Sequence, residues 1–291
     1  MAILFDYHIN FLSDSGNETE LPFNVFGLTQ QGVSHFAGSI GNQDAGSVFV
    51  GKRIIIGVVA DGCTSGTNVD GKSSNQVGAN ITSYLVCRII RKLLIKKGCT
   101  LDELSDSIER ELHNHYRKIL NAINPWQFER NKLINNLFTS TFIAFVVYKD
   151  KYAVYNCGDG NLYINGKEIS LKYESGRYFS NNLINFPKLI DETDDISKNA
   201  YVKVNCLAYS EIDYLNTLLI CTDGFIDTDV SNNKSFSDFF FADDNNKSSK
   251  KGFVDQKTRF RNVATSILEE KEGRIWPFDD ATFISLKRKI I

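Results

Sequence analysis

The 291-residue sequence predicts an α+β fold, and three observations carry that expectation. Segments rich in β-branched and aromatic residues recur through most of the chain. Helical periodicity is confined to two adjacent segments in the middle and one near the end. Strands therefore come in blocks, without the one-to-one alternation of a doubly wound parallel sheet.

In chain order, residues 23–29 and 53–60 read as strands, the second a continuous apolar run of buried-strand length. A helix follows over residues 74–97, with Val77, Ile81, Leu85 and Ile89 at fourfold spacing as its inward face. A second helix starts at Thr100, whose hydroxyl suits an N-cap answered by Glu103 three residues on. Its buried stripe is Leu101, Leu104, Ile108, Leu112 and Ile119. Strands are expected over 138–148 and 152–157, and Asn165-Gly166 joins 162–164 to 167–171 as a hairpin, since both turn positions must accept positive φ. The strand at 217–222 precedes a late helix over 256–271, ended by Gly273. A final strand, 282–286, alternates with Thr282, Ile284 and Leu286 on one face. Polar stretches at 174–199 and 243–251 read as loops. Because the informative aspartates lie on both sides of each, residues 1–291 are expected to form a single domain.

A net charge of −2 gives no electrostatic case for nucleic acid, which calls for a concentrated basic face. The basic residues among 88–97 interleave with the apolar positions of the first helix and read as its solvated face. No apolar run approaches the length that crosses a bilayer, and Asp6 interrupts the N-terminal segment too early for a signal peptide. The six cysteines show neither a CxxC pair nor zinc spacing, and several lie in apolar runs. Reduced thiols and a cytoplasmic location are the expectation.

The chemistry lies in the aspartates. Asp44 sits in GNQDA, Asp61 ends the run RIIIGVVAD before Gly62, Asp223 follows TLLICT before Gly224, and Asp279, with its neighbour Asp280 as a rival, opens DDATFISL. Carboxylates placed where strands stop can converge at one sheet edge, an oxygen-rich setting for hard divalent cations. His113 and His115 stand two apart on a helix and so face different ways. They read as surface or partly buried residues, and Trp126 and Trp276 as core or loop anchors.

Taken in order, NQD, ADG, CGDG (157–160), TDGFID (222–227) and DDAT resemble the metal-dependent type-2C serine/threonine protein phosphatases. The segment GVSHFAGSIGNQDA (32–45) brings the chain nearer the bacterial branch. The resemblance runs from about residue 23 to 286. It implies a four-layer αββα sandwich: two antiparallel sheets flanked by helix pairs. It also implies two Mg²⁺ or Mn²⁺ ions, bridged by Asp61, with the Gly62 carbonyl on one ion and Asp223 and Asp279 on the other. Asp44 would orient water, and Asp159 with Asp223 and Asp227 would match a weaker third metal position. The implied activity is hydrolysis of phosphoserine and phosphothreonine on proteins that a bacterial kinase phosphorylates.

Three departures concern the substrate side. Ser39 stands where many members have a phosphate-gripping arginine, Gln43 where many have glutamate, and Cys63-Thr64 where many have a histidine. His35 is the candidate phosphate contact in this chain, with Arg53 or Lys72 as replacements for the arginine. These departures leave two alternatives beside the enzyme: a catalytically weak relative that binds phosphoproteins or regulates, and a phosphatase of small phosphorylated metabolites.

Overall fold

A computed structural model of the chain describes residues 3–5, 9–13, 19–32, 35, 41–62, 75–123, 127–171, 178–185, 201–225 and 279–289. Two six-stranded sheets face each other. The first has the order β1 (Ile3–Phe5), β3 (Phe23–Gln30), β12 (Ala281–Arg288), β11 (Thr217–Cys221), β8 (Asn161–Ile164), β9 (Lys167–Ile169). The second runs β10 (Asn205–Glu211), β7 (Lys151–Cys157), β6 (Ser140–Tyr148), β5 (Ile54–Gly62), β4 (Ala45–Gly51), β2 (Ile9–Ser13). The sheets are not wholly antiparallel: β1 runs parallel to β3, and β2 parallel to β4. Both exceptions come from the first thirteen residues.

Alternation along each strand builds two cores. On β5, Ile54, Ile56, Val58 and Ala60 face the helices, whereas Ile55 and Val59 join the inter-sheet core. Val48 and Val50 of β4, Leu218 and Ile220 of β11, and Ile284 and Leu286 of β12 meet them there. Gly57 leaves room for the Phe145 ring of the neighbouring strand and for Ile284 of the facing sheet, since a Cβ would lie 2.4 Å from the first and 3.0 Å from the second. The hairpin expected at Asn165-Gly166 forms, with φ of 51° and 75°.

Helix α1 (Asn75–Lys96) lies over β4, β5 and β6, with α2 (Leu104–Ile123) against it; α3 (Gln127–Leu137) and the short α4 (Asn181–Asn185) complete the described helices. Of the expected inward face of α1, Ile89 is buried and Ile81 and Leu85 pack partly buried on the core, whereas Val77 is 46% exposed, so the centre of the face is rotated from the expected one. The buried positions include Ala79, Ser83, Val86, Cys87, Ile90 and Leu94. Small residues allow the close approach. Ser83 Oγ accepts from Ser47 Oγ of β4 at 3.1 Å, and Thr82 Oγ1 lies 2.6 Å from Ser140 Oγ of β6. Helical bonding in α2 begins at Leu104, later than expected, though Glu103 still accepts the Thr100 N–H at 3.2 Å. His113 is fully buried, correcting the surface reading, because the buried face of α2 is wide enough to include it beside Leu112 and Tyr116. Among the described residues, no helix is long and apolar enough to cross a membrane. The expected helix at 256–271, Trp126, Trp276 and the loop at 243–251 lie outside the described residues, as does most of 174–199.

Glu109 of α2 ties the chain after residue 200 to the helix layer, accepting the Val204 N–H at 3.2 Å. Burial chiefly, with nearby Asp106, raises its carboxyl to about 7, against the lowering pull of the Val204 bond, Lys203 and Tyr201. An acid with its folded pKa raised binds more protons folded than unfolded, so stability falls as pH climbs from the ordinary carboxylate range to about 7. Above that the penalty is complete. Glu109→Gln is expected to match the wild type near pH 4 and exceed it by about 1 kcal/mol at pH 8, screening at this half-buried site allowed for. Urea unfolding at the two pH values measures the difference.

Candidate metal centre

The inward rows of four strands change character at one end of the sandwich. On β5 the row Ile55, Gly57, Val59 ends in Asp61; on β4 the row Val50, Val48, Gly46 runs back to Asp44. On β11 Leu218 and Ile220 lead to Thr222, and on β12 Leu286 and Ile284 lead back to Thr282 and Asp280. The same alternation that fills the core thus places polar groups from both sheets at its rim. Asp223 opens a single 3-10 turn directly after β11.

These groups are knitted across the sheets. Thr222 Oγ1 donates to Asp44 Oδ2 at 2.6 Å, and its oxygen accepts the Thr282 N–H at 2.9 Å. Thr29 Oγ1 lies 2.6 Å from Thr282 Oγ1 and accepts from Asn42 Nδ2 at 2.9 Å, while Asn42 Oδ1 accepts the Asp44 N–H at 2.9 Å. Asp44 and Asp280 are buried, at 5% and 3% exposure. Asp280 accepts the backbone N–H groups of Gly32, at 2.7 Å, and Gln43, and its Oδ2 lies 2.8 Å from His35 Nδ1. Two glycines make this turn possible by close approach. A Cβ on Gly32 would fall 2.2 Å from the Asp279 carbonyl carbon, and one on Gly224 1.9 Å from the Asp280 oxygen.

Electrostatically the cluster is crowded with negative charge. Withdrawal from water raises the Asp61 carboxyl most, the charges of Asp223, Asp159 and Asp279 add to it, and a hydrogen bond from Asp44 opposes them; the result is about 8. Burial first, then the Asp61 charge, pushes Asp44 well above the usual carboxylate range, although the Thr222 hydroxyl works against the shift. Asp44 and Asp61 are joined by a side-chain hydrogen bond, and each carboxyl is raised by burial or by the other's charge. Carboxylates held this close without compensating charge suit divalent cations that take hard oxygen ligands.

The expected site residues group as follows. Asp44, Asp159, Asp223 and Asp279 all act on Asp61 at this rim. Gly62 is buried beside them, paired with Ser140 and donating its N–H to the Gln43 carbonyl at 3.2 Å. His35 faces Asp279 and Asp280. Arg53 is exposed at the opposite end of β5, roughly 25 Å of strand from Asp61, and does not replace the missing arginine. Ser39, Cys63, Thr64, Lys72 and Asp227 lie outside the described residues. Sequence reasoning missed Thr222 as part of the site and took Asp280 only as the rival of Asp279. The signal was available, since residue 280 continues the 282-284-286 face and 222 the 218-220 face.

The protein phosphatase 2C family model matches residues 31–256, and the chain belongs to that family. Its fold is shared by a bacterial serine phosphatase (TM-score 0.53, 16% identity, 91% of this chain and 97% of that one). It is likewise similar to the serine/threonine phosphatase Stp1 of Staphylococcus aureus (TM-score 0.53, 15% identity, 95% and 99%). A third similar structure is the catalytic domain of the serine/threonine protein phosphatase PstP in complex with two manganese ions (TM-score 0.50, 12% identity, 92% and 99%). No curated protein sequence matches the chain at a significant level.

Proposed function

We propose that the chain, as one domain over residues 1–291, is an Mg²⁺- or Mn²⁺-dependent protein serine/threonine phosphatase. The observation that carries this is the meeting of Asp44 and Asp61 from one sheet with Asp223 and Asp279 from the other, beside Asp159. Asp61 would bridge two cations, with the Gly62 carbonyl on one, Asp223 and Asp279 on the other, and Asp159 at a weaker third position. PstP, a family relative, holds two manganese ions in its catalytic domain. Bound cations would supply Lewis acidity, neutralising phosphoryl oxygens and acidifying an attacking water.

The chain's own residues supply placement. Thr222 fixes one Asp44 oxygen, and with the Asp44–Asp61 hydrogen bond released once Asp61 holds a cation, the other would orient a water. The network through Thr282, Thr29 and Asn42 holds that geometry against rotation. Thr222→Val keeps the shape but removes the donor to Asp44 and the acceptor for the Thr282 N–H. It is expected to lower kcat/KM or metal affinity by about 10- to 100-fold, read from steady-state rates across a Mn²⁺ titration.

The substrate is a phosphorylated protein in the cytoplasm, the target of a bacterial serine/threonine kinase. With serine at position 39, phosphate lacks a bidentate arginine, so substrate orientation is the weaker half of the site. The deciding experiment strips the protein with chelator and measures phosphate release from a phosphothreonine peptide and an aryl phosphate on adding Mn²⁺. Metal-dependent turnover that disappears in Asp223→Asn supports the phosphatase. Metal binding without turnover above that variant overturns it and leaves a phosphoprotein-binding or regulatory module. Preference for sugar phosphates over phosphopeptides would assign the chain to small metabolites.

A further inference from the structure

We infer that His35 is a nitrogen ligand to the cation held by Asp279, which makes that position a mixed nitrogen–oxygen site selective for a first-row transition ion such as Mn²⁺ over Mg²⁺. The inference rests on the proposed metal centre and adds a residue and a metal preference to it.

The first observation concerns Asp280, whose carboxylate is buried and already takes two backbone donors. Gly32 N–H binds Oδ1 at 2.7 Å and Gln43 N–H binds Oδ2. An acceptor held by donors in this way leaves His35 Nδ1, 2.8 Å from Oδ2, to serve as a further donor. With the proton on Nδ1, the neutral imidazole carries its lone pair on Nε2. Histidines that bind metals characteristically donate their other ring nitrogen to a carboxylate, which fixes the tautomer and ring angle and raises ligand basicity.

The second observation is where Nε2 lies. It stands 3.5 Å from Asp279 Oδ1, at the outer edge of hydrogen-bond distance. Two donor atoms sharing one ion, each with a bond of about 2.1 Å, fall roughly 3–3.5 Å apart. One donor atom each from His35, Asp279 and Asp280 lies within 4.8 Å of the other two. Asp279 is open on the solvent side, its side chain 55% exposed, and the same Oδ1 accepts the Asp280 N–H at 2.8 Å, which leaves its second lone pair for a cation. The His35 side chain is 12% exposed. Asp279 is thus the accessible oxygen ligand, His35 the buttressed nitrogen beside it, and Asp280 the carboxylate that orients the ring. Imidazole suits first-row transition ions, whereas Mg²⁺ favours all-oxygen shells and dehydrates reluctantly.

Pulsed EPR of the Mn²⁺-loaded full chain tests this, together with Mn²⁺ and Mg²⁺ binding by calorimetry. The expected result is ¹⁴N coupling on the bound Mn²⁺ that vanishes in His35→Gln. Mn²⁺ affinity should fall at least tenfold in that variant and Mg²⁺ affinity by less. Should His35→Gln fail to fold, His35→Asn and the wild-type spectrum carry the test. Mn²⁺ that binds in an Asp61-dependent manner without nitrogen coupling overturns the His35 assignment and leaves the proposed centre standing. Equal Mn²⁺ affinity in the wild type and Asp61→Asn overturns the centre itself, and the inference with it.

Discussion

Asp61→Asn is expected to reduce metal-dependent phosphate release by at least about a thousandfold, because the carboxylate proposed to bridge both cations loses its charge at the centre of the cluster. The same substitution is expected to stabilise the metal-free protein. Burial and the neighbouring Asp223, Asp159 and Asp279 hold the Asp61 carboxyl at about 8, so the folded chain keeps a proton that the unfolded chain releases. Stability of the chelated wild type therefore declines as pH rises from the ordinary carboxylate range to about 8, with the full penalty above it. Asparagine escapes that decline. Thermal unfolding in chelator should show the two proteins close together at pH 4 and the variant higher at pH 9, while added Mn²⁺ raises the wild type alone. A variant both inactive and less stable at pH 9 would contradict the electrostatic account.

Asp280→Ala is expected to be the most damaging single substitution outside the apolar core. It strands the buried N–H groups of Gly32 and Gln43 and releases His35 Nδ1. Charge-assisted bonds to buried donors lost together amount to about 3–5 kcal/mol, or roughly 10 °C in Tm for a chain of this size. Asp280→Asn keeps one carbonyl oxygen but turns an amide N–H₂ toward other donors, so it should fall between alanine and wild type. Asp279→Asn provides the contrast. The partly exposed Asp279 carboxylate makes fewer anchoring bonds, so this change should leave Tm within about 1 °C while weakening Mn²⁺ binding. Differential scanning fluorimetry beside calorimetric titration separates a structural aspartate from a ligating one.

The sequence made the central strands legible because their inward and outward rows differ in composition. Residues 54–60 and 217–221 are continuous apolar runs, and 282–286 alternates cleanly. Strand β4, AGSVFVG, was not legible: two glycines and a serine weaken its intrinsic signal, and its place between β2 and β5 supplies the pairing. Edge strand β10, NCLAYSE, which lacks β-branched residues, and helix α3, polar and asparagine-rich, likewise owe their form to neighbours. The inward side of α1 was misread for a related reason, since Ala79, Ser83 and Cys87 pack on the sheet through smallness and carry little hydrophobic weight.

At the site, ordered Asp-Gly motifs marked the carboxylates, because each motif is local to its own strand end. The partners that hold them are not local. Asp280 meets Gly32 and Gln43 across 248 and 237 residues, and Thr222 meets Asp44 across 178. The pairing of His35 with Asp280, across 245 residues, was illegible for the same reason. Strand parity could have pointed to residues 222 and 280, but no one-dimensional pattern names the backbone amides they bind.

The carboxylates arrive from opposite layers, Asp44 and Asp61 from the sheet holding β4 and β5, Asp223 and Asp279 from the sheet holding β11 and β12. A cation bound among them is consequently a rivet through the sandwich, and its occupancy is written into the lifetime of the folded chain. At a free concentration one hundred times its Kd, such an ion adds about 2.7 kcal/mol to stability. On the proposed function, a cell short of the metal would hold a chain that is both inactive and easier to unfold and degrade, so that metal supply would set the amount of the protein as well as its rate.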